Sequence, residues 1–60
     1  MSDIKKVFLI AGESSGDFHG ANLIRTIKSI EPQSTFMGHG GSLMESEGML
    51  LLEHINNLSI

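Results

Sequence analysis

Lys6-Val7-Phe8-Leu9-Ile10-Ala11-Gly12-Glu13-Ser14-Ser15-Gly16-Asp17 is the stretch that decides the fold of this 60-residue chain. Its first half is a continuous apolar run with a β-branched and aromatic bias and no polar–apolar alternation, the pattern of a strand buried on both faces. Gly12 ends that run. Ser14, followed three residues later by Asp17, is a short capping box and predicts a helix start. Phe18, Ala21, Ile24 and Ile27, with Leu23 and Ile30 alongside, then recur at three- and four-residue spacing. Asn22, Arg25, Thr26, Lys28 and Ser29 take the other face, so the segment reads as one amphipathic helix of about four turns. Lys28 in its last turn suits the helix dipole, and Pro32 stops it.

The pattern then repeats in shorter form. Thr35-Phe36-Met37 reads as a second strand, with Gly38-His39-Gly40-Gly41 as its exit turn. Ser42 with Glu45 repeats the capping signature, and Gly48 closes that helix in a C-cap role. Met49-Leu50-Leu51-Leu52 is a third apolar run and reads as a strand, and Asn56-Asn57 as a turn pair. Six of the seven glycines fall in the clusters Gly12/Gly16/Gly20 and Gly38/Gly40/Gly41, each after a short apolar run. The fold class is therefore α/β, a Rossmann-like βαβαβ unit. Parallel crossovers are right-handed, so strands laid out successively carry both helices on one face and leave the other bare. Parallel sheets are normally covered on both faces. Residues 1–60 thus read as an incomplete Rossmann-like domain, the first part of a doubly wound one, with no second domain in this chain.

Composition removes several classes of function. A chain this short buries only about 60% of its unfolded surface. It has no cysteine, which excludes disulfides, thiolate zinc sites and iron–sulfur clusters. A net charge of -3, with Lys5, Lys6, Arg25 and Lys28 as the only cations, argues against nucleic acid as a partner. The three aromatic residues are all Phe, which offers no stacking platform for single strands. The apolar run at 7–11 is below the roughly 7–15 residues of a signal-peptide core and far below the roughly 20 of a membrane span. The chain reads as soluble.

A glycine-rich turn before a helix is a common anion site, but the generic fingerprints are missing. Gly12, Gly16 and Gly20 are spaced by four, not as G-x-G-x-x-G, and no P-loop lysine is present. Glu13 and Asp17 place two carboxylates on the turn, and these repel phosphate at short range. Such a turn would accept hydrogen bonds from hydroxyls, as on a sugar, or from a neighbouring loop. The plainer alternatives are that Asp17 caps its own helix and that Glu13 faces solvent or a backbone amide. His19, His39 and His54 have no i,i+4 pairing, so no metal site is expected. His19 reads as a partly exposed side chain, and His39, in a glycine cluster at a strand end, as the histidine best placed for a ligand. Met37, Met44 and Met49 read as core fillers. Ser14 and Ser15 lie outside a G-x-S-x-G elbow, which disfavours nucleophilic catalysis.

Ile10-Ala11-Gly12-Glu13-Ser14-Ser15-Gly16-Asp17, continued by Gly20-Ala21-Asn22-Leu23-Ile24-Arg25, resembles the N-terminus of the lipid-A-disaccharide synthase family, where a strand runs into A-G-E-x-S-G-D and then x-x-G-A-x-L-I. The family's second block, G-x-G-G-x-x-M-x-x-E-G, is matched in order and spacing by Gly38-His39-Gly40-Gly41-Ser42-Leu43-Met44-Glu45-Ser46-Glu47-Gly48. Ile55-Asn56-Asn57-Leu58-Ser59 is similar to the start of the next segment. Ser42 departs from a position that is often proline, which changes the helix cap more than the chemistry. The resemblance implies the acceptor-side N-terminal domain of a two-domain GT-B glycosyltransferase. It implies transfer of a diacylglucosamine unit from UDP-2,3-diacylglucosamine to 2,3-diacylglucosamine 1-phosphate, without cofactor or metal, in lipid A and lipopolysaccharide biosynthesis. The implied location is cytoplasmic, peripheral at the inner membrane. The carried-over site is the substrate-cleft turn Gly12, Glu13, Ser14, Ser15, Gly16 and Asp17, with His39, Gly40 and Gly41 as a possible second loop. The family's catalytic base and UDP-binding residues lie beyond this chain, so the 60 residues alone are expected to be inactive. The alternative is a small self-associating Rossmann-like interaction module or nucleotide-binding module.

Overall fold

The computed structural model describes residues 6–57. Lys5 and the Leu58-Ser59 part of the tail therefore lie outside the described residues. Strand β1 (Lys6–Ile10) leads to helix α1 (Ser14–Ile30), strand β2 (Thr35–Gly40), helix α2 (Ser42–Ser46), strand β3 (Leu50–His54) and a single 3₁₀ turn at Ile55–Asn57. The sheet order is β1-β2-β3, and both pairings are parallel. This is the expected βαβαβ arrangement. No helix among the described residues is long and apolar enough to cross a membrane.

Both helices pack on one face. Ile24, Phe36, Met44 and Met49 are buried there with Ala11 and Ala21, flanked by half-buried Val7, Leu9, Ile27 and Leu51. The opposite face stands open: Phe8, Ile10, Met37, Leu50 and Leu52 are 55%, 69%, 38%, 59% and 52% exposed. A strand that reads as apolar on both sides thus has one side covered, as the crossover argument requires. Met37 belongs to this open face and not to the core; only Met44 and Met49 fill it. On α1 the buried stripe is narrower than the periodicity suggests. Asp17, Ala21 and Ile24 are inside, while Phe18, Leu23 and Ile30 flank the stripe and are exposed.

β2 also departs from expectation. It continues through Gly38, His39 and Gly40, so the second glycine cluster is mostly strand rather than exit turn. Glycine permits this because no side chain has to fit between β1 and α2. Gly38 has φ +147° and sits at a register shift against β3. Gly20 and Gly40 bracket Met44: a Cβ on Gly20 would stand 2.7 Å from the Met44 sulfur, and one on Gly40 2.6 Å from it. Gly48, φ +103°, follows the α2 C-cap Glu47 and supplies the expected C-terminal turn. Outside the core, Arg25 reaches Glu47 at 2.5 Å. That hydrogen bond, with the guanidinium's charge, holds the Glu47 carboxyl below the usual carboxylate range. Lys28 donates to the Glu47 carbonyl at 2.6 Å and lies over the Phe36 ring.

Candidate functional site

In an open α/β sheet the crevice for ligands lies beyond the carboxyl ends of the strands. Here that end carries Gly12 and Glu13 with the first two residues of α1, together the turn at residues 12–15, then the β2–α2 junction at Gly41 and the end of β3 at His54. Gly12, Glu13, Ser14 and Ser15 are exposed, Gly16 is half-buried and Asp17 is buried. A Cβ on Gly12 would meet nothing within 4 Å. The base of the turn is tied to β2, because the Ala11 amide donates to the His39 carbonyl at 2.9 Å.

Asp17 does not cap its own helix. The N-cap of α1 is Glu13, in extended conformation, and no side chain caps it. The Asp17 carboxylate instead turns to α2, where Oδ1 accepts from the Gly41 amide at 2.8 Å and the Met44 amide at 2.9 Å. Oδ2 accepts from the Leu43 amide at 3.1 Å. Gly41 is the N-cap residue of α2 and has no side chain of its own. Asp17 therefore satisfies three of the N-terminal N–H groups of that helix from across the fold. Three charge-assisted bonds outweigh the single bond of a local cap, which is why the Ser14/Asp17 capping box does not form. Ser42 is likewise the first helical residue of α2 and not its cap, so the Ser42/Glu45 signature fails for the same reason.

His39 is half-buried and its ring lies on the open sheet face, centroid 6.4 Å from that of Phe8. Gly40 is buried beneath Met44 of α2, and Gly41 is buried at the N-cap of that helix against Asp17. These three are therefore not assembled into a second exposed loop. His54 has a partner that its spacing did not reveal. Its Nε2 lies 3.2 Å from Ser42 Oγ, and its Nδ1 accepts from the Asn56 amide at 3.0 Å. With Nδ1 accepting, Nε2 is the ring nitrogen left to donate, and Ser42 Oγ is the oxygen beside it. The ring thereby links the end of β3 to the first residue of α2. Pairing of residues twelve apart leaves no periodic signal in a sequence.

Gly16 rests on the end of β1. A Cβ there would stand 3.2 Å from the Ala11 Cβ, and its φ is not positive. Backbone strain is therefore absent and close packing is the constraint. Gly16→Val should cost about 1–3 kcal/mol through overpacking, with Gly16→Ala milder. Thermal unfolding of a full-length protein carrying this segment measures it; an unchanged midpoint for the valine variant refutes it.

Parallel order, crossover helices on one face and an exposed turn at the carboxyl ends define a βαβαβ unit of the open, Rossmann-like α/β class. A family model described as lipid-A-disaccharide synthetase matches residues 7–60. The chain belongs to that family. Proteins named lipid-A-disaccharide synthase are similar to it in Pseudomonas syringae pv. tomato (42% identical over the whole chain and 16% of that protein). Others are in Pseudomonas putida (56% identical over 72% of this chain and 12% of that protein) and in Azotobacter vinelandii (43% identical over 82% of this chain and 13% of that protein). The chain thus spans about one-sixth or less of the length of these relatives.

Proposed function

We propose that this chain supplies the first part of the N-terminal domain of a lipid-A-disaccharide synthase, a GT-B glycosyltransferase. The reaction joins UDP-2,3-diacylglucosamine to 2,3-diacylglucosamine 1-phosphate. The acceptor hydroxyl attacks the donor's anomeric carbon, its proton passes to a base, and UDP leaves with the electrons of the broken C–O bond. Configuration inverts and a β-1,6 linkage forms. The match over residues 7–60 carries this reading. In it, the exposed turn at 12–15 faces the substrate cleft, with Glu13 available to sugar hydroxyls, while the base and the UDP site lie elsewhere in the protein. The work is done at the cytoplasmic face of the inner membrane, by a peripheral enzyme that needs no metal.

The test is UDP release and disaccharide formation by a full-length protein carrying this segment, beside Glu13→Gln and Ser15→Ala variants. Turnover in the parent, with kcat/KM lowered tenfold or more in at least one variant, is expected. The purified 60-residue chain should release no UDP; release would overturn the placement of base and UDP site outside it. The open apolar face favours a second reading, a self-associating module, which requires the isolated chain to form a defined oligomer.

A further inference from the structure

We propose that Asp17 is a positioning residue that holds the exposed turn at 12–15 in register with the second strand–helix junction. This rests on the reading of that turn as part of the substrate cleft. The turn is anchored at two points only a few residues apart. On its β1 side the Ala11 amide binds the His39 carbonyl at 2.9 Å. On its α1 side the Asp17 carboxylate binds the Gly41 amide at 2.8 Å. His39 and Gly41 are two residues apart, so the two bonds close a short ring through the turn and the end of β2. Asp17 is 5% exposed and Ala11 7%, so one partner of each bond is buried away from water. The fold reserves space for this contact: a Cβ on Gly41 would stand 2.5 Å from Asp17 Oδ2 and 2.7 Å from its Cγ.

A cap serving α2 alone could come from a Ser or Asp at position 41. The carboxylate comes instead from the first turn of α1, three residues beyond Ser14, and so links the position of one turn to the other. Turns held at their base keep exposed groups near one geometry, and small displacements at a reacting centre are costly.

The experiment compares Asp17→Asn and Asp17→Ala with Ile27→Val in a full-length protein carrying this segment. Ile27 is half-buried on the helix side of the sheet, has no place in the site, and supplies a purely structural loss. Asn retains one acceptor oxygen for the two amides on Oδ1 and turns an N–H₂ toward Leu43, so it tests the clamp even if the alanine variant fails to fold. Melting temperature, kcat and KM for both substrates are measured well below unfolding. The expected result is a kcat/KM at least tenfold lower in Asp17→Asn than in Ile27→Val, per folded molecule. An Asp17→Asn value within twofold of the Ile27→Val value, with a lowered melting temperature, overturns the proposal and leaves Asp17 a cap. Glu13→Gln and Ser15→Ala separate the two readings. If they lose activity and Asp17→Asn does not, the cleft reading stands and only the clamp falls. If both are silent, the cleft reading fails and the clamp's catalytic role falls with it.

Discussion

Gly38→Ala is expected to abolish stable folding of the N-terminal unit. At φ +147° an L side chain is strained whatever its size. Space is also missing: the added Cβ would land on the Leu9 carbonyl oxygen and stand 2.9 Å from its carbon and 3.0 Å from the Leu9 nitrogen. These are backbone atoms of the paired strand, opposite Gly38 in register, so no rotamer change relieves the contact. β1 and β2 would have to separate in the middle of the sheet. The loss should reach about 4 kcal/mol or more, in the range of the most damaging single substitutions. Soluble yield and thermal unfolding of a full-length protein carrying the change would show it, and a midpoint within a few degrees of the parent would refute it.

Gly41→Ala should be the second most damaging change, by a different route. Its φ of -115° suits any residue, so backbone strain is absent. The new methyl would meet the Asp17 carboxylate, a short side chain pinned by three amides and unable to swing aside. Either the methyl displaces the carboxylate and leaves buried N–H groups of α2 unpaired, or α2 shifts away. The cost should be about 2–3 kcal/mol, the usual range for overpacking and for an unsatisfied buried donor. The clash has one named partner, so the effect should depend on it. In an Asp17→Ala background, Gly41→Ala should cost far less, giving a coupling of about 1–3 kcal/mol. Equal costs in the two backgrounds would show that the methyl is not meeting the carboxylate. Denaturant unfolding of the four proteins provides the cycle.

The order and type of the elements were legible in the sequence. The unbroken apolar run from Val7 to Ala11, the spacing of Ala21, Ile24 and Ile27, and Pro32 after α1 are local signals, read by counting. So was the bare sheet face with Phe8, Ile10, Leu50 and Leu52, because crossover handedness follows from chirality and not from any particular contact. The turn at 12–15 could be placed at the carboxyl end of β1 because it follows that strand directly in the chain. The family's paired motifs were legible too, as order and spacing alone.

What the tertiary structure decided is the meaning of the motif residues. From sequence, Asp17 was a carboxylate one turn into a helix, free to cap that helix or to face a ligand. Only the packing of α1 against α2 brings three amides to it, from residues more than twenty positions away. The glycines read as turn formers, yet among them only Gly38 and Gly48 have positive φ. Gly16, Gly20, Gly40 and Gly41 are small because Ala11, Met44 and Asp17 occupy the space a side chain would need. His54 met Ser42 in the same way. Local periodicity records which face of an element is buried; it does not record what lies on the other side of the interface. Caps supplied from another helix and glycines that admit a neighbour exist only once the elements have docked.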